Sequence, residues 1–389
     1  MRTGALRRVP PAGDPVDRAE RAAALAEPDP ERSLRAGLRG WLGAEQVDLF
    51  ASGRAALRAL LAWLAARSGR REVVIPAYCC FSVPAAAVAA GLRVRLVDVD
   101  ACGRIDAAQL AALPLGDVAA LVVANLFGIP EPIRALRAIA EPAGVVLVDD
   151  AAQALGGEDP EGRAGARGDV GLLSFGRGKP LSGLGGGALA WARRPEGFSA
   201  PAAPRPARRS AQLRALAWDA ALHPAIFRWL AVLPGLHVGE TRFDPHFETG
   251  AIGPAALVLA AARLPRFARL AEERARRAES LAAAIRAGSR FLPLVAPDAV
   301  RGVYPRLAVL APDAERRAVA LRRLTACGLG ASAFYPSALG DVAALRPHLA
   351  GPPRQPGAEA LARRMLTLPT HSGADAALCA AITRALAES

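Results

Sequence analysis

The sequence predicts an α/β protein: a large domain with a mainly parallel sheet covered by helices on both faces, followed by a smaller C-terminal α/β domain. Two observations carry this expectation. Downstream of Ser52, short and almost wholly apolar runs alternate with segments of helical spacing, the pattern of parallel strands joined by crossover helices. The chain also has 389 residues, enough for one large domain and one smaller one.

Taken in order, residues 1–35 are polar and Pro-rich and read as an N-terminal arm, 36–255 as the large domain and 256–389 as the small one. Residues 55–66 have helical spacing, and REVVIPA after them reads as a buried strand. Residues 83–90 are helical again. RVRLVDVD and DVAALVVAN are the second and third strands, IPEPIRALRAIAEPAG a helix, VVLVDD the fourth strand, and GDVGLLSFG and GGALAWA two more. Residues 192–245 break the pattern with a Pro/Arg-rich stretch and then the apolar, aromatic-rich run QLRALAWDAALHPAIFRWLAVLPGL. That run reads either as an oligomer or lid element, or as a peripheral membrane contact through 213–236 anchored by Trp218, Phe227 and Trp229. After Pro254 comes a long helical stretch dense in Arg and Glu at i, i+4 spacing. VYPRLAVLAP, a helix over 314–327, GASAFYPSAL and a last helix from Ala374 complete the small domain.

Composition narrows the function. The formal charge of +13 comes from arginines scattered over the whole chain, without an aromatic-interleaved basic stripe or helix-turn-helix signature, which argues against a nucleic-acid partner. The five cysteines form no CxxC pair, and His223, His237, His246 and His348 show no ligand spacing, so no metal is expected. The N-terminus lacks an apolar signal core, and the uncharged run 73–92 is interrupted by Pro76, Ser82 and Pro84. A cytoplasmic enzyme is the expectation.

Lys179 is the only lysine among 49 Lys and Arg residues. Arginine replaces lysine wherever a surface positive charge suffices, but its guanidinium stays protonated, whereas a lysine amine can be brought to neutrality and attack a carbonyl. Chance survival on a loop explains a solitary lysine about equally well, so its surroundings decide. Four segments bear on it. Ser52-Gly53-Arg54-Ala55-Ala56 precedes a helix, where small residues leave backbone N–H groups for a phosphate, although Ser-Gly is also an ordinary N-cap. VVLVDDAAQ puts Asp150 at the carboxyl end of an apolar strand, the edge where open α/β sheets hold ligands, with Gln153 one turn on. LLSFGRGKPLSGLGGG places Ser174 five residues before Lys179 in a Gly-rich turn. IPAYCCFS ends another strand with Tyr78, Cys80 and Phe81, candidates to lie over a cofactor ring.

With SGRAAL, VVIPAYCC, LVDVD, LFGIP, VDDAAQALGG, GDVGLLSFGRGK and LTLPTH, the chain resembles the DegT/StrS-type sugar aminotransferases, pyridoxal-phosphate (PLP) enzymes of fold type I. The resemblance covers about residues 36–389 apart from 192–245. It implies a seven-stranded sheet, a homodimer, and PLP carried covalently on Lys179. Asp150 then pairs with the ring nitrogen, Gln153 contacts the ring, and Ser174 binds the phosphate together with the backbone of Gly53 and Arg54. Departures are Arg54 where the family has Thr, Cys80 beside Phe81 where it has a stacking aromatic, and Asn125 where it has His before Leu-Phe-Gly. HFETGAIG aligns poorly with the segment that supplies an Asn across the subunit interface, and His371 matches a structural position of the small domain.

The function so implied is transfer of an amino group, with glutamate as donor, to a keto-sugar nucleotide in surface polysaccharide or secondary-metabolite sugar biosynthesis. Lys179 argues against the dehydratase branch, which has His in its place. The alternatives are an aminotransferase of a non-sugar small keto compound and a catalytically silent PLP-fold binding protein.

Overall fold

The structure, a computed structural model, describes residues 8–230 and 242–389. Seven strands form the main sheet: β1 (Gln46–Phe50), β2 (Glu72–Pro76), β3 (Arg93–Val97), β4 (Val118–Ala124), β5 (Val146–Asp150), β6 (Val170–Ser174) and β7 (Gly187–Trp191), in the order β1-β7-β6-β5-β4-β2-β3. From β3 to β6 all neighbours are parallel, and β7 runs antiparallel to both β6 and β1. The mainly parallel seven-stranded sheet is therefore as expected. β4 is buried at all seven positions, as a strand covered on both faces must be. The strand that apolar runs did not reveal is β1. Its Asp48 is buried yet charged, because Trp191 Nε1 at 2.8 Å and Arg194 Nε at 3.0 Å both donate to it.

The stretch read as an arm contains α1 (Arg18–Ala26) and the start of α2 (Pro30–Leu42). A capping box of Asp17 with Glu20 starts α1, and Asp29 followed by Pro30 starts α2, so local stop–start chemistry prevails over the Pro-rich composition. α3 (Gly53–Ser68) follows β1, with the Ser52 hydroxyl capping it by accepting the Ala55 N–H at 3.1 Å.

In the atypical segment, α4 (Arg208–Leu222) packs on α1 and on α6 (Pro254–Arg263), and α5 (Pro224–Leu230) packs on α4. Of the three aromatics read as membrane anchors, only Trp229 is exposed, at 63%. Phe227 is buried, and Trp218 packs against Gly13 and donates its Nε1–H to the Asp14 carbonyl at 3.1 Å. The aromatic pattern thus mainly fixes α4 onto the N-terminal residues; residues 231–236 of that segment lie outside the described residues. Among the described residues no helix is long and apolar enough to cross a membrane.

α7 (Phe267–Gly288) leads into a three-stranded antiparallel sheet of Leu292–Pro293, Leu307–Leu310 and Met365–Leu368, backed by helices Ala314–Ala326 and Ala376–Ala387. GASAFYPSAL joins that sheet only through an isolated bridge from Ser332 to Thr367 and otherwise passes as a loop toward the large domain.

Candidate active site

The carboxyl ends of β4, β5 and β6 and the N-terminus of α3 meet at one cavity. It is lined by Gly53, Arg54, Cys80, Asp150, Gln153, Ser174 and Lys179 among others. Seven of the nine positions singled out from the sequence thus come together.

Lys179 sits in a Gly-rich turn whose form is set by backbone bonds: its N–H donates to the Gly176 carbonyl at 3.2 Å, and Gly178 adopts a φ of 71°. Gly53 opens α3, where first-turn N–H groups have no intrahelical acceptor. A Cβ at Gly53 would stand 3.1 Å from Ser174 Cβ and 3.5 Å from Ser174 Oγ, so the missing side chain leaves the space between the helix terminus and that hydroxyl open. Together these make a cradle for an anionic group.

Asp150 ends β5. One of its oxygens accepts the Ala152 N–H at 2.9 Å, which fixes the carboxyl at the strand end. Burial pushes this carboxyl up to about 6, against the opposing pull of the Ala152 N–H and of the Lys179 ammonium. The other Asp150 oxygen, the Ser174 hydroxyl and the Lys179 amine have no hydrogen-bond partner among the described residues. An unused amine, a buried carboxylate oxygen and a hydroxyl beside a helix N-terminus form the donor set that PLP needs: a carbonyl partner, a ring-nitrogen partner and a phosphate cradle. The residues present therefore fit that cofactor.

The neighbouring Asp149, which on its own reads as a solvated strand end, is fully buried. Arg167 Nη2 lies 3.0 Å from it, the Gly165 N–H donates at 2.7 Å, and Asn125 Nδ2 donates at 2.7 Å. Asn125 also donates to the Asp150 carbonyl at 2.8 Å, so it bolts the ends of β4 and β5 together beside the cavity.

Like Tyr78, Phe81 does not line the cavity. It stacks on Tyr335 at 6.2 Å between centroids, and Tyr78 exchanges two hydrogen bonds with the Tyr335 backbone, at 3.1 and 2.7 Å. Both aromatics are drawn into the core by Tyr335, which leaves the Cys80 side chain in the wall, its Sγ 2.8 Å from Ser82 Oγ. Arg54 lines the cavity but lays its guanidinium over the Phe247 ring at 4.7 Å. The sequence signals Tyr335 only through the aromatic pair in GASAFYPSAL. No cluster of three or more His, Cys, Asp or Glu able to hold a metal ion occurs among the described residues.

The chain matches the profile of the DegT/DnrJ/EryC1/StrS aminotransferase family over residues 16–193 and 254–387, which leaves 194–253 outside the match. It is 29% identical over 161 residues to a UDP-N-acetyl-3-dehydro-alpha-D-glucosamine 3-aminotransferase of Acidithiobacillus ferrooxidans, covering 41% of this chain and 43% of that protein. It is 29% identical over 159 residues to a dTDP-4-amino-4,6-dideoxy-D-glucose transaminase of Shigella dysenteriae, covering 41% of this chain and 42% of that protein. These matches span less than half of either curated relative. Among solved structures, a putative sugar aminotransferase from Streptococcus pneumoniae in its PLP form superposes with a TM-score of 0.77 at 18% identity, covering 98% of both chains.

Proposed function

The chain belongs to the DegT/DnrJ/EryC1/StrS aminotransferase family, and from that premise we propose that it is a PLP-dependent aminotransferase that moves an amino group, with glutamate as donor, onto a keto-sugar nucleotide. The observation that carries the reading is the meeting of Lys179, Asp150 and Ser174 with the N-terminus of α3 in one cavity.

In this reading Lys179 would hold the cofactor covalently, Asp150 would pair with the ring nitrogen, and Ser174 with the first-turn N–H groups of Gly53 and Arg54 would hold the phosphate. The cofactor supplies an electron sink for the bond that breaks at the substrate carbon. Asp150 would hold the proton at the ring nitrogen and so strengthen that sink. Lys179 Nζ would take the proton from the donor's α-carbon as base and give it back as acid. Asn125 and Arg167 hold the strand end that carries Asp150 and touch no reacting atom. Support for a nucleotide-linked acceptor comes from the names of the UDP- and dTDP-sugar relatives. A homodimer with the site near the subunit interface is what the family resemblance implies, and gel filtration with light scattering tests it.

The decisive experiment loads the purified protein with PLP and adds glutamate, then UDP- and dTDP-linked keto-sugars. A visible absorbance of the lysine-bound cofactor, its loss with glutamate and its return with the keto-sugar are expected. Lys179→Arg should lose the absorbance and all turnover while keeping the far-UV circular dichroism. Turnover retained in that variant sinks the assignment.

A further inference from the structure

Leu126 lines the cofactor cavity and also a second one, of about 190 Å³. The turns after β3 and β4 bring Cys102, Arg104 and Glu131 to this second cavity, and the last turn of α7 brings Arg286. The rest of its wall is apolar, with Ile129, Leu292 and Leu294 among its residues.

Three polar side chains indicate what such a space would hold. Neither Arg104 nor Arg286 has a carboxylate at ion-pair distance among the described residues. Glu131 is only 7% exposed. One of its oxygens accepts the Ile105 N–H at 2.9 Å, and no donor among the described residues meets the other. Burial pushes this carboxyl up to about 8, with Asp100 adding to the effect; the Ile105 N–H, Arg104 and Arg167 oppose it. Near neutral pH its proton then sits on the unused oxygen. The cavity wall so offers two guanidiniums and one O–H donor, without an ionised acid among them. Two cations delivered by different elements into a small, mostly apolar space suit a ligand with two anionic ends and a short hydrocarbon middle. A monocarboxylate would leave one arginine unpaired, and inorganic phosphate would not cover Ile129, Leu292 and Leu294.

The same residues connect this cavity to the cofactor site. The Glu131 N–H donates to Asn125 Oδ1 at 2.8 Å, and the Glu131 carbonyl accepts from Arg167 Nη1 at 3.0 Å. Asn125 and Arg167 are the residues that hold Asp149 and the strand end beside Asp150. We propose that this cavity is an effector site for a small dicarboxylate, with one carboxylate on Arg104, the other on Arg286 and Glu131 as a third contact. Its occupancy alters cofactor binding through Leu126 and Glu131.

Succinate on the cofactor-loaded protein is the probe, with acetate and inorganic phosphate as controls. Calorimetry reads affinity, and mass spectrometry follows iodoacetamide labelling of Cys102, which is exposed and lines the cavity. Succinate should bind and slow Cys102 labelling in step with occupancy. Acetate and phosphate should bind at least about tenfold more weakly, and Arg286→Ala and Arg104→Ala should each weaken succinate by about as much, the worth of one charge-assisted hydrogen bond. Arg286 is exposed, so its variant keeps the fold even if Arg104→Ala does not. Succinate affinity should fall as pH rises through about 8, where Glu131 loses its proton, and stay flat in Glu131→Gln, which keeps a donor without a charge. PLP affinity should differ by about fivefold or more with and without succinate. Cys102 labelled at the same rate with succinate present, phosphate binding as well as succinate, or affinity unchanged in Arg286→Ala overturns the site. A PLP affinity indifferent to succinate overturns the coupling, and a pH step that survives in Glu131→Gln removes Glu131 from the contacts.

Discussion

The Gln153 side-chain amide donates to the Tyr335 hydroxyl at 2.8 Å, and its oxygen accepts the Phe127 N–H at 3.2 Å. The family resemblance implies that Gln153 contacts the cofactor; in the structure it ties the cavity wall to the loop that carries Tyr335. Tyr335→Phe keeps the ring packing against Tyr78 and Phe81 but leaves the Gln153 amide without its acceptor in a buried place. The expected cost is about 1–3 kcal/mol of unfolding free energy, read from urea denaturation of the cofactor-free protein. Added PLP should recover part of it if Gln153 turns to the ring. A variant as stable as the wild type would show that water replaces the hydroxyl.

Arg167 is the hub beneath the site. It meets Asp149 at 3.0 Å and Asp159 at 2.5 Å, with all three side chains buried or nearly so. Arg167→Met removes the only guanidinium these carboxylates share and strands their charge. Breaking a buried pair from one side costs about 3–5 kcal/mol, so this variant should be the least stable of those named here. The midpoint of chemical denaturation measures it, and a loss under about 1 kcal/mol would contradict the burial seen for the pair.

The parallel strands were legible because burial on both faces demands apolar runs, and the meeting of Asp150, Ser174 and Lys179 at one cavity because the first two end strands and the third follows in a Gly-rich turn. β1 escaped because its buried charge, Asp48, is matched by Trp191 and Arg194, more than 140 positions away. Phe81 was misplaced for a similar reason. Whether an aromatic at a strand end faces the ligand or the core depends on Tyr335, and nothing local announces that partner. The helices in the first 35 residues are signalled by their caps, Asp17 with Glu20 and Asp29 with Pro30, against a polar, Pro-rich composition that points to an arm.

Asp14 predicts how acid stability should behave. Although burial alone would raise it, Arg274 at 2.6 Å and the Ser372 N–H at 2.9 Å bring its carboxyl down to about 2 from an ordinary 3.8. A depressed carboxyl contributes stability that is complete above its unfolded value and is lost as pH falls through the folded one. The Asp14 contribution, roughly 2 kcal/mol, should therefore fade between about pH 4 and pH 2. Asp14→Asn should lose most of it at pH 7 and show a flatter stability curve over that window.

Gly53→Ala tests the phosphate cradle. The new methyl would press on Ser174 Cβ at 3.1 Å and on the Leu173 carbonyl at 3.3 Å, tighter than ordinary contact but relievable by a small shift of the β6 end. Alanine is also a good helix former at this position, so stability should change by less than about 1 kcal/mol. PLP affinity, titrated by absorbance, should fall about tenfold, the worth of one charge-assisted hydrogen bond. Unchanged affinity would place the phosphate elsewhere.

Asp150 gives the cofactor site its pH dependence. Its carboxyl titrates near 6 in the cofactor-free protein because burial disfavours the charge, an effect the Ala152 N–H and Lys179 only partly offset. Only the ionised form can hold a protonated ring nitrogen, so below about pH 6 each binding event must first release the Asp150 proton. Cofactor affinity should therefore rise with pH up to about 6 and level off above it, with a limiting tenfold change per pH unit on the acid side. Asp150→Asn has no such proton to lose. It should bind PLP more weakly at pH 7.5 and show no step near pH 6, and its half-reaction with glutamate should slow far more than its affinity falls, because the ring nitrogen is no longer held protonated. If the step persists in Asp150→Asn, the titrating group is another one, and the ring nitrogen does not face Asp150.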